Sequence, residues 1–150
     1  MNFKELQKEL PYRWRVQSST QYQCVLIPYI DARDAMQLLD DVCGVDNWKD
    51  EYQMCGDRLM CGVSIKINEQ WVTKWDTGTD TKIEKEKGGV SDAFKRACVK
   101  WGINRKAYEV DPIKTKTKEY KGKFYPIDDK GNFIKDTTKY CNEQLKKQSS

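Results

Sequence analysis

Hydrophobic spacing changes several times along the chain, and each change marks an element. An amphipathic stretch over 2–9 is stopped by Pro11 and predicts a short helix. Over 12–18 aromatic and β-branched residues alternate with arginine and glutamine, the period of a strand, and 22–29 reads as a second extended piece. Ala32, Ala35, Met36, Leu39, Val42 and Cys43 then recur on one face of a helix. Asp31 supplies its N-cap, Asp34 sits at the third helical position, and Gly44 stops the run.

The period next falls from 3.6 to 2. Leu59, Cys61, Val63, Ile65 and Ile67 alternate with Met60, Gly62, Ser64, Lys66 and Asn68, with turn signals at Gly56-Asp57 and Asn68-Glu69. Residues 48–77 therefore read as three antiparallel strands forming a meander with one buried face. Trp71, Thr73 and Trp75 share one face of the third strand, where tryptophans are expected to fill core rather than hold a ligand. Residues 76–89 turn polar and charged, as a loop or hairpin arm would. A second amphipathic helix is predicted from Val90 to Gly102, with Val90, Ala93, Phe94, Ala97, Cys98 and Trp101 as its apolar stripe and glycine at its C-cap. A small hairpin over 120–134, turning near Asp129, Lys130 and Gly131, and a final helix over 138–147 complete the chain. The expected class is α+β: an antiparallel β-meander packed against helices. Its expected organisation is a core over residues 1–110 and a lysine-rich extension over 111–150.

Composition narrows the chemistry. The 150 residues include no histidine, which removes Ser-His-Asp and Cys-His catalysis and mixed Cys/His zinc sites together. Six cysteines stand at irregular spacings without a CxxC, and are expected as reduced thiols. The longest apolar run is four residues, Cys24 to Ile27, and the N-terminus is charged, so a cytoplasmic chain without a membrane segment is expected. The net charge of +4 hides a division: residues 31–57 carry eight acids against two bases, whereas residues 82–106 carry eight bases against three acids. Residues 111–150 add ten lysines against six acids. A polyanion is a plausible partner for such basic stretches, although lysines also serve solubility alone.

Three features are candidates for function. Lys95, Arg96 and Lys100 fall on one sector of the second helix and are placed to meet a strip of phosphates, with a Gly-Gly pair ahead of them that lets a phosphate backbone approach the first amides. The alternative is a solvated face in which Asp92 offsets Arg96 at i,i+4. Arg33 opposes the macrodipole in the first turn of its helix, which points either to a ligand or to a local ion pair. Asp80-Thr81-Lys82 has the D-x-K form of metal-dependent nucleases, with Glu69 or Asp76 as a further ligand, yet such a tripeptide arises readily by chance. No G-x-x-x-x-G-K-[ST] loop for ATP is present.

The run VSDAFKRACVKWGI, Val90 to Ile103, resembles the helix signature of single-strand annealing proteins of the Rad52 superfamily, including its DdrA-type bacterial and phage recombinase-like members, which implies a setting in a bacterial cell or phage-infected host. YIDARDAMQLLDDVCGVDNW, Tyr29 to Trp48, is similar to the segment those proteins carry between first strand and meander, and Trp75-Asp76-Thr77-Gly78 resembles the meander's end. The resemblance covers roughly residues 12 to 108 in the family's order. It implies a β-β-β-α core, assembly into rings or helical filaments, and single-stranded DNA held by its backbone, without ATP, metal or other cofactor. Family positions that touch DNA fall on Arg33, Lys95 and Arg96. A further basic position lands on Val99, leaving Lys100 as a neighbouring substitute, and Lys82, Lys85 and Lys87 correspond only by charge to a second DNA site.

The function expected is thus ATP-independent annealing of complementary strands in recombination or repair, with no enzymatic turnover. Expected partners are single-stranded DNA, further copies of the chain, and a single-strand DNA-binding protein or exonuclease. The competing readings are a self-assembling or partner-binding module without annealing activity, and a metal-dependent nuclease.

Overall fold

The computed structural model describes residues 2–78 and 89–149. It is α+β with antiparallel sheets, and the chain forms two compact units, one of residues up to 10 with 31–105, the other of 11–30 with 106–150.

The first unit is built on the meander. β3 (Trp48–Cys55), β4 (Arg58–Ile67) and β5 (Gln70–Thr77) pair in chain order, and the pairs Cys55↔Arg58 and Ile67↔Gln70 close two-residue turns where the alternation predicts them. Asn68 and Glu69 both take positive φ, which matches the right-handed twist of the strands they join. Cys61, Val63 and Ile65 point to one side of β4 and are fully buried. Across that side lies α2 (Gly89–Lys100), which buries Ala93, Phe94, Ala97 and Cys98 against β4 and β5. α1 (Ala32–Cys43) packs beside α2, capped by Asp31 and stopped at Gly44 as the spacing predicts. The Trp48 indole ties it to β3, donating to Asp40 Oδ1 at 2.7 Å while its ring packs on Phe94.

Three expectations change here. The N-terminal helix is a 3-10 turn, Phe3–Gln7, anchored by buried Leu6, because one apolar residue per turn is enough to pin five residues to α1. The buried stripe of α1 is Ala35, Leu38, Leu39 and Cys43, with Met36 left exposed, so the true face is rotated by part of a turn. The tryptophans of β5 do share a face, but it is the one turned away from α2. Trp71 is 41% exposed, with the Lys49 ammonium 4.5 Å above its ring, and Trp75 lies half-buried across Gly62. One helix layer covers only one side of a three-stranded sheet, and alternation places these rings on the other.

The second unit is a four-stranded antiparallel sheet in the order β1-β2-β6-β7: β1 (Arg13–Ser19), β2 (Cys24–Tyr29), β6 (Ile113–Tyr120) and β7 (Lys123–Ile127). Residues 11–30 thus complete a sheet with the C-terminal segment, Leu26 facing Ile113 and Cys24 facing Thr115. α3 (Thr137–Ser149) closes the core of Trp14, Cys24, Leu26 and Cys141. Its first two turns are stitched to β1: Thr137 Oγ1 donates to the Trp14 carbonyl at 2.7 Å, and the Trp14 indole donates to Asn142 Oδ1 at 3.0 Å. The C-terminal hairpin turns at Lys121-Gly122, both at positive φ, rather than near Asp129 to Gly131. The latter residues form a separate turn, in which Asp128 Oδ1 accepts from the amides of Lys130 and Asn132.

All six cysteines are unpaired. Burial raises the Cys61 thiol to about 11 and the Cys141 thiol to about 12, so both stay protonated at neutral pH. No helix of the described residues is long and apolar enough to cross a membrane.

Candidate nucleic-acid interface

α2 sets the geometry of the basic surface. Its apolar residues face the sheet, so Lys95 and Arg96 in its second turn lie at the edge of the buried side and are half-buried, while Lys100, its last residue, is exposed. The Arg96 Nε is buried without an acceptor among the described residues. A buried donor left unpaired costs about 1–3 kcal/mol, so a guanidinium held this way is fixed by packing and not by hydrogen bonding at Nε. Asp34 Oδ2, on α1, is buried and unpaired in the same sense. Arg33 precedes it and is exposed at the start of α1, where Asp31 Oδ1 accepts from the Arg33 amide at 3.4 Å. Arg33, Lys95 and Arg96 therefore stand on two helices that pack against each other.

The C-terminus of α2 closes at the glycine that the sequence predicts, and gathers cations that spacing alone does not show. The Ile103 amide donates to Cys98 O and the Gly102 amide to Val99 O, with Gly102 at φ +96, closing the helix in a Schellman turn with buried Ile103 beneath it. The last carbonyls of the helix also draw cations. Arg105 Nε and Nη2 donate to Val99 O at 3.2 and 2.9 Å, Nη2 also reaches Lys100 O at 3.2 Å, and Lys74 Nζ reaches Lys100 O at 3.3 Å. Lys74 belongs to β5, so only strand pairing brings it to the helix end.

Lys82, Lys85 and Lys87 lie outside the described residues, as do Asp80 and the D-x-K motif. Of the further metal-ligand candidates, Glu69 pairs with Lys66 at 3.4 Å and Asp76 Oδ1 accepts from the Thr77 amide at 2.7 Å. Neither is committed to a metal by its surroundings, and no cluster of three potential ligands occurs among the described residues.

The class defined by these features is an α+β protein whose three-stranded meander carries a basic helix across one side. The description "Rad52/22 family double-strand break repair protein" fits residues 2–124, and the chain belongs to that family. It is also similar to the single-stranded DNA-binding protein DdrA of Deinococcus radiodurans, at 30% identity over 90 residues, covering 59% of this chain and 43% of that protein. The chain thus spans less than half the length of this relative.

Proposed function

We infer that the chain binds single-stranded DNA by its sugar-phosphate backbone and promotes pairing of complementary strands without ATP, in recombination or repair. The observation that carries this reading is the placement of Arg96: half-buried on α2 with an unpartnered Nε, beside Lys95, on a helix packed against the one bearing Arg33. Cations pre-positioned on rigid helices neutralise phosphates and release counterions, which gives salt-sensitive, sequence-tolerant binding. A backbone grip leaves the bases facing outward, and holding a strand extended lowers the entropy cost of nucleating a duplex. Family membership and the name of the Deinococcus relative support the same reading. Copies of the chain act together, as a ring or filament, so that weak contacts add along one strand.

The test is annealing of two labelled complementary oligonucleotides, with and without protein, lacking ATP and metal, across a salt series. Acceleration that fades with salt is expected, together with its loss in the K95A/R96A double variant and a milder loss in R33A. Wild-type affinity in the double variant would overturn the assignment of these residues. Absence of both binding and acceleration in the wild-type protein would overturn the function and leave a partner-binding module.

A further inference from the structure

A hollow of about 370 Å³ opens at the C-terminal end of α2, within the first unit, lined chiefly by Phe3, Lys4, Lys74, Lys100, Trp101 and Arg105. Four of these are cations, and no carboxylate lines it among the described residues. A hollow of about 630 Å³ in the second unit is different in kind, since Asp128 and Asp129 stand there among its lysines.

Capping the helix explains part of this charge and not the rest. The exposed carbonyls at a helix C-terminus attract one or two cations, and Val99 O and Lys100 O already receive Arg105 and Lys74. Those bonds use Arg105 Nε and Nη2 and a single Nζ proton of Lys74. A guanidinium has five N–H donors and an ammonium three, so Arg105 Nη1 and two protons of Lys74 are not engaged by them. Lys4 and Lys100 add two further ammonium groups beyond what two carbonyls require. Gathering four cations without an acid is repulsive, and an anion in the hollow relieves it.

One wall of the hollow is aromatic. Phe3 and Trp101 stack with ring centroids 6.2 Å apart and planes 17° from parallel, and Lys74 Nζ sits 4.5 Å over the Trp101 ring. This holds the Lys74 ammonium against an aromatic wall, in a hollow whose volume is near the lower end of small-ligand sites. The hollow also lies along the line of the basic helix. From Arg96 to Lys100 is one helical turn on nearly one face, a rise of roughly 6 Å, about one internucleotide step of an extended strand.

We propose that this hollow is a phosphate-binding site through which a single strand held at Lys95 and Arg96 continues past the end of α2. The site rests on the DNA-binding reading for its ligand, and its phosphate comes either from inside a strand or from a strand's end.

The salt dependence of binding to an oligonucleotide long enough to pass the whole helix tests it. Lys4→Ala and Arg105→Ala, made singly in the full chain, should each lower the slope of log affinity against log salt by about 0.7, the value for one phosphate contact on a single strand. Lys8→Ala, on the same N-terminal stretch but not lining the hollow, should leave the slope unchanged. Equal slopes in wild type and Lys4→Ala, or an equal loss in Lys8→Ala, would overturn the site. Lys4 makes that judgement secure even where Arg105→Ala weakens the helix cap. Oligonucleotides with and without a 5′-phosphate separate the sources: a loss confined to phosphorylated ends assigns the hollow to strand termini, and an equal loss assigns it to internal phosphates. Tripolyphosphate alone distinguishes failure of the site from failure of the function. A rise in wild-type Tm that Lys4→Ala abolishes, without any strand binding, would keep the hollow and overturn the DNA reading; no rise and no slope change would overturn the hollow.

Discussion

Gly62 is where the sheet tolerates no side chain. A Cβ built there would stand 2.8 Å from two atoms of the Trp75 indole, closer than nonbonded carbons approach. Because Gly62 and Trp75 are directly paired across β4 and β5, neither backbone can retreat without breaking the ladder. Gly62→Ala is therefore expected to destabilise the protein by about 1–3 kcal/mol in urea unfolding, the usual penalty of overpacking, and Trp75→Leu in the same chain should restore part of it. On the opposite face of β4, Cys61 gives a pH signature. Desolvation lifts its thiol from 9.0 to about 11, so the folded state favours the protonated form. Stability from this group is complete below pH 9 and is lost as pH rises through 11. Melting temperature should fall across that interval, and Cys61→Ala should flatten the fall while lowering Tm at neutral pH; an identical slope in the variant would assign the effect to other groups.

Among the elements, the end of α2 is the most demanding. Gly102 takes φ +96 to close the Schellman turn, and a Cβ there would also meet Gln7 Cγ at 3.0 Å. Gly102→Ala should cost about 1–2 kcal/mol, from left-handed strain plus crowding, measured by thermal or urea unfolding. This cap was legible in the sequence, as were both ends of α1, all three strands of the meander and the two turns between them, because each rests on local chemistry: a glycine, an aspartate cap, a strict alternation. What escaped is tertiary. Periodicity says that Trp71 and Trp75 share a face but not which face the helix will cover. It gave no reason to weigh Lys121-Gly122 above Asp129 to Gly131 as the hairpin turn, since both are glycine-bearing polar stretches. Of the candidate site, Arg33, Lys95 and Arg96 could be named because they sit on predicted helices, whereas Lys74 and Lys4 reach the end of α2 only through strand pairing and the docking of a five-residue 3-10 turn.

For the whole molecule, the division into two units decides which experiments are informative. Deleting residues 112–150 to test the lysine-rich segment would remove β6, the partner of β2, and α3, which buries Trp14 and Cys24. Loss of DNA affinity after that deletion would report an unfolded hairpin at 11–30, so charge in this unit is better probed by exposed lysines on β6 such as Lys114 and Lys116. The net charge of only +4 makes a second prediction possible. A chain nearly neutral overall binds through local contacts and not through a global field. If Arg33, Lys95 and Arg96 each meet one phosphate, these three contribute about −2 to the salt slope of each protomer engaged, and the hollow at the end of α2 adds to it. In the proposed assembly, longer strands engage more protomers, so the slope should steepen in steps as the oligonucleotide lengthens while the contribution per protomer stays constant. Fluorescence anisotropy on an oligonucleotide series, read beside mass measurement of the free protein, checks both quantities. A slope that stays at one value for every length would mean that single protomers bind independently, and annealing would then have to arise without the avidity that a ring or filament supplies.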